Sequence, residues 1–162
     1  MSDTSVIPGS HTVRNLFEDL LGRDVNVSPG EPLAQADLAT ATIAIYTDRA
    51  QQIYGVLGMQ LSLAANVGAA LGLLPPGAAE DSIDEKKLFP NLAENVFELC
   101  NVLTSLLNRE GSPHVKLYQV IYPGMDLPND ARAHLLALGR RLDLTIEVAR
   151  YGKGKFSLSL AP

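Results

Sequence analysis

Residues 38–60 read Leu-Ala-Thr-Ala-Thr-Ile-Ala-Ile-Tyr-Thr-Asp-Arg-Ala-Gln-Gln-Ile-Tyr-Gly-Val-Leu-Gly-Met-Gln. The first arm, Leu38–Tyr46, is rich in β-branched residues (Thr40, Thr42, Ile43, Ile45), which favour extended backbone. Thr47, Asp48 and Arg49 supply turn chemistry. Gln52–Gln60 returns with Ile53, Val56 and Leu57. Two such arms joined by a short polar turn predict a hairpin, and a hairpin fixes antiparallel pairing. Gly55 and Gly58 predict a bulge or a close approach to a helix.

The same pattern returns near the C-terminus. Leu144–Ala149 and Phe156–Leu160 form a predicted hairpin across Gly152–Gly154, and His114–Tyr122 alternates as a strand should. Val25–Gln35, with Pro29, Gly30 and Pro32, predicts an irregular or edge strand. Strands that come as hairpins give a mainly antiparallel sheet. The fold class is therefore α/β of the α+β kind, with long helices packed on the sheet.

Helices are spaced between the strands. Val13–Leu21 places Val13, Leu16, Phe17, Leu20 and Leu21 at helical period, with His11 or Thr12 as cap and Gly22 as stop. Ser62 opens a second helix over Leu63–Leu74, ended by Pro75–Pro76. Its Ala64, Gly68 and Gly72 recur every four residues. Each glycine costs about 1 kcal/mol of helix propensity, so the stripe predicts close packing against a neighbouring backbone. The run 75–90 carries Glu80, Asp81, Asp84 and Glu85 and reads as a flexible acidic loop. Pro90 and Asn91 start a third helix, to about Asn108, closed by Gly111 and Pro113; Asn129–Arg141 is a fourth. Residues 1–11 read as a flexible N-terminus and 12–162 as one domain.

Bulk properties exclude several functions. A length of 162 residues with 46% apolar content suits one domain with a real core. Net charge is −5, which offers no field for nucleic acid or an anionic membrane. The most apolar stretch, Leu61–Leu74, is short against the roughly 20 residues a membrane span needs. The single cysteine, Cys100, cannot form an internal disulfide, so a cytoplasmic location is expected. It reads as a small core residue. His11, His114 and His134 lie far apart, without acidic or Cys neighbours at ligand spacing, so no metal site is expected. Arg140, Arg141, Arg150, Lys153 and Lys155 read as the solvated edge of the last hairpin rather than an anion site.

The third helix holds the candidate chemistry. Glu94, Glu98, Asn101, Ser105 and Asn108 recur at helical period in one polar stripe. Leu92, Val96, Leu99, Leu103 and Leu106, widened by Cys100, Val102 and Leu107, form the opposite one. A carboxylate and a carboxamide three apart point the same way, giving an anionic acceptor beside a neutral donor and acceptor. Spacing alone favours a solvated helix face.

The stretch Glu94-Asn-Val-Phe-Glu98-Leu-Cys-Asn101 resembles the signature of the CheC/CheX family of chemotaxis phosphatases. That signature is an Asp or Ser, then a Glu, then three residues on an Asn, with a proline downstream, here Pro123. Tyr54-Gly-Val-Leu-Gly-Met-Gln-Leu, followed by Ala64-Ala-Asn-Val-Gly-Ala-Ala-Leu, resembles the family's glycine-bearing strand leading into an alanine-rich helix. The resemblance covers roughly residues 12–124 and is to the single-site, CheX-like members. It implies hydrolysis of the phospho-aspartate of a response regulator such as CheY. Glu98 would dock on a partner lysine and Asn101 would orient the attacking water, while Glu94 and Ser105 would rim the contact. It further implies a phosphorylated receiver domain as partner, Mg²⁺ carried by that partner with no cofactor on this chain, and a homodimer paired through the sheet. A non-catalytic module of the same fold, binding a signalling or flagellar-switch partner, is the alternative.

Overall fold

The computed structural model describes residues 7–108 and 113–161. The elements in order are α1 (Ser10–Leu21), β1 (Val25–Pro29), β2 (Thr42–Thr47), β3 (Ile53–Met59), α2 (Leu61–Leu71), α3 (Pro76–Asp84), α4 (Pro90–Val102), β4 (Lys116–Ile121), α5 (Asn129–Leu136), β5 (Arg141–Val148) and β6 (Gly152–Leu160). Short 3₁₀ turns cover Gln35–Asp37 and Leu103–Leu106. The strands form one sheet in the order β1-β5-β6-β3-β2-β4, and every neighbouring pair is antiparallel. The α+β expectation holds, as do both hairpins, β2–β3 and β5–β6.

Strand alternation sorts the side chains between two faces. On one face Ala44, Tyr46, Leu57, Met59, Leu144, Ile146, Phe156 and Leu158 are buried against α1, α2 and α4. Phe17 of α1 meets Phe156 of β6 edge-on, with ring centroids 6.0 Å apart. On the other face Ile43, Ile45, Val56 and Ile121 are covered by Leu33, Leu38 and, from α5, Ala131 and Leu135. That cover extends over β6, where the buried Ser157 accepts from the Leu33 amide (3.2 Å). Asp143 of β5 and Ser157 of β6 are opposite one another. The Ser157 hydroxyl donates to Asp143 (2.7 Å), and Arg141 forks onto the same carboxylate (2.7 and 2.9 Å).

Several boundaries differ from expectation, each for a physical reason. Helix α1 begins at Ser10, with Gly9 as N-cap and no side-chain cap bond, so the irregular N-terminus does not extend to residue 11; residues 1–6 lie outside the described residues. The run after Pro75–Pro76 is helical. Pro76 occupies the first turn, where its missing N–H is no loss. Ala79 and Ser82 turn inward, while Glu80, Asp81, Asp84 and Glu85 face solvent. The Ser82 hydroxyl donates to the Lys87 carbonyl and accepts from the Phe89 amide (3.3 Å), which ties α3 to the start of α4. Helix α2 begins at Leu61 with Gln60, not Ser62, at its N-cap.

Helix α5 stops at Leu136 because Arg141 caps it, its guanidinium donating to the carbonyls of Leu135 (2.9 Å) and Ala137 (2.6 Å). The last hairpin turns at residues 149–151, with Arg150 at φ 75°, and Gly152–Gly154 lie inside β6. A Cβ at Gly154 would sit 2.6 Å from the Leu63 amide nitrogen, so this glycine serves the close approach of α2 instead of a turn.

Candidate functional site

Helix α4 is seated by its neighbours along its whole length. Gly68 of α2 lies against its backbone: a Cβ there would lie 2.9 Å from the Leu92 carbonyl oxygen and 3.1 Å from the Leu92 Cβ. The Asn95 side chain donates to the Gly68 carbonyl (2.9 Å) and fills the space a Cβ on Gly72 would need. The predicted small-residue stripe is thus the floor on which α4 rests. Two sheet tyrosines bind α4 from below. Tyr46 of β2 donates to the Cys100 carbonyl at 2.6 Å, and Tyr122, just after β4, donates to the Ala93 carbonyl at 3.4 Å. Leu92, Val96, Leu99 and Cys100 complete the buried side.

The α-helix ends at Val102 and tightens into a 3₁₀ turn over Leu103–Leu106, short of the predicted end at Asn108. Asn108 leaves the polar stripe and becomes a clasp. Its carboxamide donates to the Val115 carbonyl and accepts from the Val115 amide, both at 2.8 Å. Gly111, predicted to close the helix, lies outside the described residues.

Glu94, Glu98, Asn101 and Ser105 are all exposed on the outer side of this segment. Glu98 and Asn101 make no hydrogen bond or ion pair among the described residues, so both keep their full bonding capacity for something outside the chain. The same side holds two residues that the sequence reading left out of it. Phe97 is 47% exposed, and Val102, assigned above to the buried stripe, is 37% exposed. Helical period would have found Phe97, which lies three residues after Glu94 and four before Asn101. Val102 emerges because α4 ends there. Next to Val102, α1 and α4 part to leave a groove of about 540 Å³ that reaches Ser105.

The remaining candidates take structural roles. Cys100 is fully buried, and burial pushes its thiol up to about 12, so it stays protonated and inert. Of the C-terminal basic cluster, Arg141 is paired with Asp143 and Lys155 with Asp37 (3.1 Å). Among the described residues, no group of three or more His, Cys, Asp or Glu is placed to hold a metal ion. No helix of the described residues is long and apolar enough to cross a membrane.

These features define an α+β domain that packs three helices on one face of a six-stranded antiparallel sheet and presents one of them outward. No family model matches the sequence, and no curated protein is similar to it. Solved structures are similar in shape. FliM in the FliM–SpeE complex from H. pylori superposes with a TM-score of 0.62 at 7% identity, over 93% of this chain and 80% of that one. The CheX–CheY–BeF3–Mg complex from Borrelia burgdorferi gives 0.55 at 9% identity, over 91% and 92%. A CheC-like superfamily protein from Shewanella gives 0.50 at 15% identity, over the whole of both chains. The fold is CheC/CheX-like, in a divergent sequence.

Proposed function

We propose that the chain is a CheX-like phosphatase that hydrolyses the phospho-aspartate of a response-regulator receiver domain. The observation that carries this reading is the exposure of Glu98 and Asn101, both unpaired among the described residues, on the outer side of a helix that the rest of the fold holds still. The CheX–CheY complex, of the same fold, joins such a domain to a receiver-type partner.

Phosphoryl transfer asks little covalent chemistry of a protein and much positioning. Water attacks the phosphorus, the Asp–phosphate bond breaks, and inorganic phosphate leaves; Mg²⁺ on the partner balances the charge. The Asn101 carboxamide has an oxygen to accept from that water and an amide to donate to it or to the phosphoryl group. Glu98, one turn away, supplies a fixed negative charge for a lysine on the partner, which sets the depth at which Asn101 enters. Glu94 and Ser105 rim the contact. The chain itself contributes no cofactor. Its setting is the cytoplasm, where receiver domains are phosphorylated, and it works as a homodimer paired at a sheet edge. Edge strand β4, with Tyr118 57% exposed, offers such an edge.

A second reading is a binding module without hydrolysis. The FliM likeness, the higher of the two TM-scores, and the exposed apolar Phe97 and Val102 favour it. Incubation with a phosphorylated receiver domain and Mg²⁺ separates the two. Wild type should speed loss of the phosphoryl group and Asn101→Ala should not. Equal rates with both would overturn the role of Asn101. Binding with no acceleration by wild type would establish the module instead.

A further inference from the structure

The groove between α1 and the end of α4 is unused by the mechanism above, yet it opens on the same surface. Leu16, Leu20, Val102 and Leu106 give it an apolar lining, and Asp19 of α1 and Ser105 stand in its walls. Leu16 and Leu20 are only half-buried, because Val13, Phe17 and Leu21 take the inward side of α1. Val102 and Ser105 line this groove, and Val102 lies one helical turn after the exposed Glu98. A partner docked on Glu98 therefore reaches the groove as well.

Its charge says what would fit. Asp19 stands in its wall, with Glu98 one helical turn before Val102, and no lysine or arginine is among the described lining residues. An apolar hollow edged by carboxylates suits a large apolar side chain next to a basic one. The volume, at the lower end of small-molecule pockets, is enough for one or two such side chains.

We propose that this groove is a specificity pocket for the receiver domain: it takes an apolar side chain of the partner, and Asp19 pairs with a neighbouring lysine or arginine. Helix α1 then chooses the partner, while α4 performs the reaction. This rests on the receiver-binding reading above. Desolvated apolar anchors dominate the energetics of such contacts, and charges at their rim set selectivity.

The test uses the full chain and CheY-type receiver domains from its own cell, activated with beryllium fluoride and Mg²⁺ for binding and phosphorylated for turnover. Val102→Glu and Asp19→Lys should each weaken binding at least tenfold and raise KM to match, with kcat unchanged within about twofold. Asn101→Ala should do the reverse, lowering kcat with little change in binding. Asp19 is exposed, so its variant carries the test if Val102→Glu impairs folding. If both groove variants bind like wild type while Asn101→Ala still lowers kcat, the groove proposal fails and the receiver-phosphatase reading stands. If no activated receiver binds wild type, both fail together.

Discussion

Tyr46→Phe removes one oxygen atom from the centre of the molecule. Tyr46 is wholly buried on β2, and its hydroxyl donates to the carbonyl of Cys100, the residue before Asn101, at 2.6 Å. Phenylalanine keeps the ring, so no sizeable cavity opens. What is lost is one hydrogen bond, worth about 1 kcal/mol net, and a buried carbonyl is left without that donor, which costs about 1–2 kcal/mol more. The expected loss is about 2 kcal/mol, or a Tm lower by about 4–8 °C in a domain of this size. Urea unfolding and calorimetry measure it directly. Local opening should appear as faster amide exchange at Leu103 and Thr104.

If α4 is a positioning device, the same change should lower dephosphorylation about tenfold while receiver binding stays within about twofold, because a small misplacement of Asn101 is costly. Burial, and then the nearby Cys100, holds the Tyr46 hydroxyl well above its usual pKa, so it remains a donor at any ordinary pH. The sign follows. Above about pH 10 the unfolded chain loses this proton while the folded chain keeps it, so wild-type stability falls there, and the fall is shallower in Tyr46→Phe. A variant within about 0.5 kcal/mol of wild type, with unchanged exchange, would refute the claim that this bond anchors the helix.

Two further changes probe the frame. Gly68→Ala gains about 1 kcal/mol of helix propensity but sets a Cβ 2.9 Å from the Leu92 carbonyl oxygen. A net loss of about 1–2 kcal/mol in urea unfolding is expected, and a gain would mean α4 is not pressed against α2. Arg141→Ala removes the fork onto Asp143 and the cap on α5, for an expected loss of about 2–3 kcal/mol at pH 7. Burial alone would raise the Asp143 pKa, but the bonds from Arg141 and Ser157 and the Arg141 charge outweigh it and hold the carboxyl below its usual value. That stabilisation is present above about pH 4 and is lost as pH falls through the folded pKa. The variant should therefore show a flatter acid limb, read from the midpoint of unfolding against pH; an unchanged limb would refute the pairing.

What could be read in advance was local. The β2–β3 hairpin follows from β-branched arms around one turn, and the tight seat of α4 follows from Ala64, Gly68 and Gly72. The pairings β1–β5, β3–β6 and β2–β4 join segments far apart in the chain, and no residue pattern within either partner specifies them. Helix α3 was hidden because Pro75–Pro76 and four carboxylates resemble a loop, although proline is at home in a first helical turn. At the site, Glu98 and Asn101 stand together on the exposed face as their spacing implied. Val102 escaped because a large apolar residue in an amphipathic helix is assigned to the core by default, whereas Phe97 belongs to neither stripe although helical period sets it beside Glu94 and Asn101. Their exposure depends on where α4 stops and what lies over it.

The change of winding after Val102 alters where the last side chains point. An α-helix advances about 100° per residue and a 3₁₀ turn about 120°. Over the three steps from Val102 to Ser105 the difference accumulates to roughly 60°. Ser105 is thereby swung away from Asn101 toward α1. It stands in the wall of the groove beside α1. The tightened turn thus acts as a swivel that bends the end of the stripe toward α1, and a change that restored regular α-helix through residue 106 would rotate Ser105 back toward Asn101.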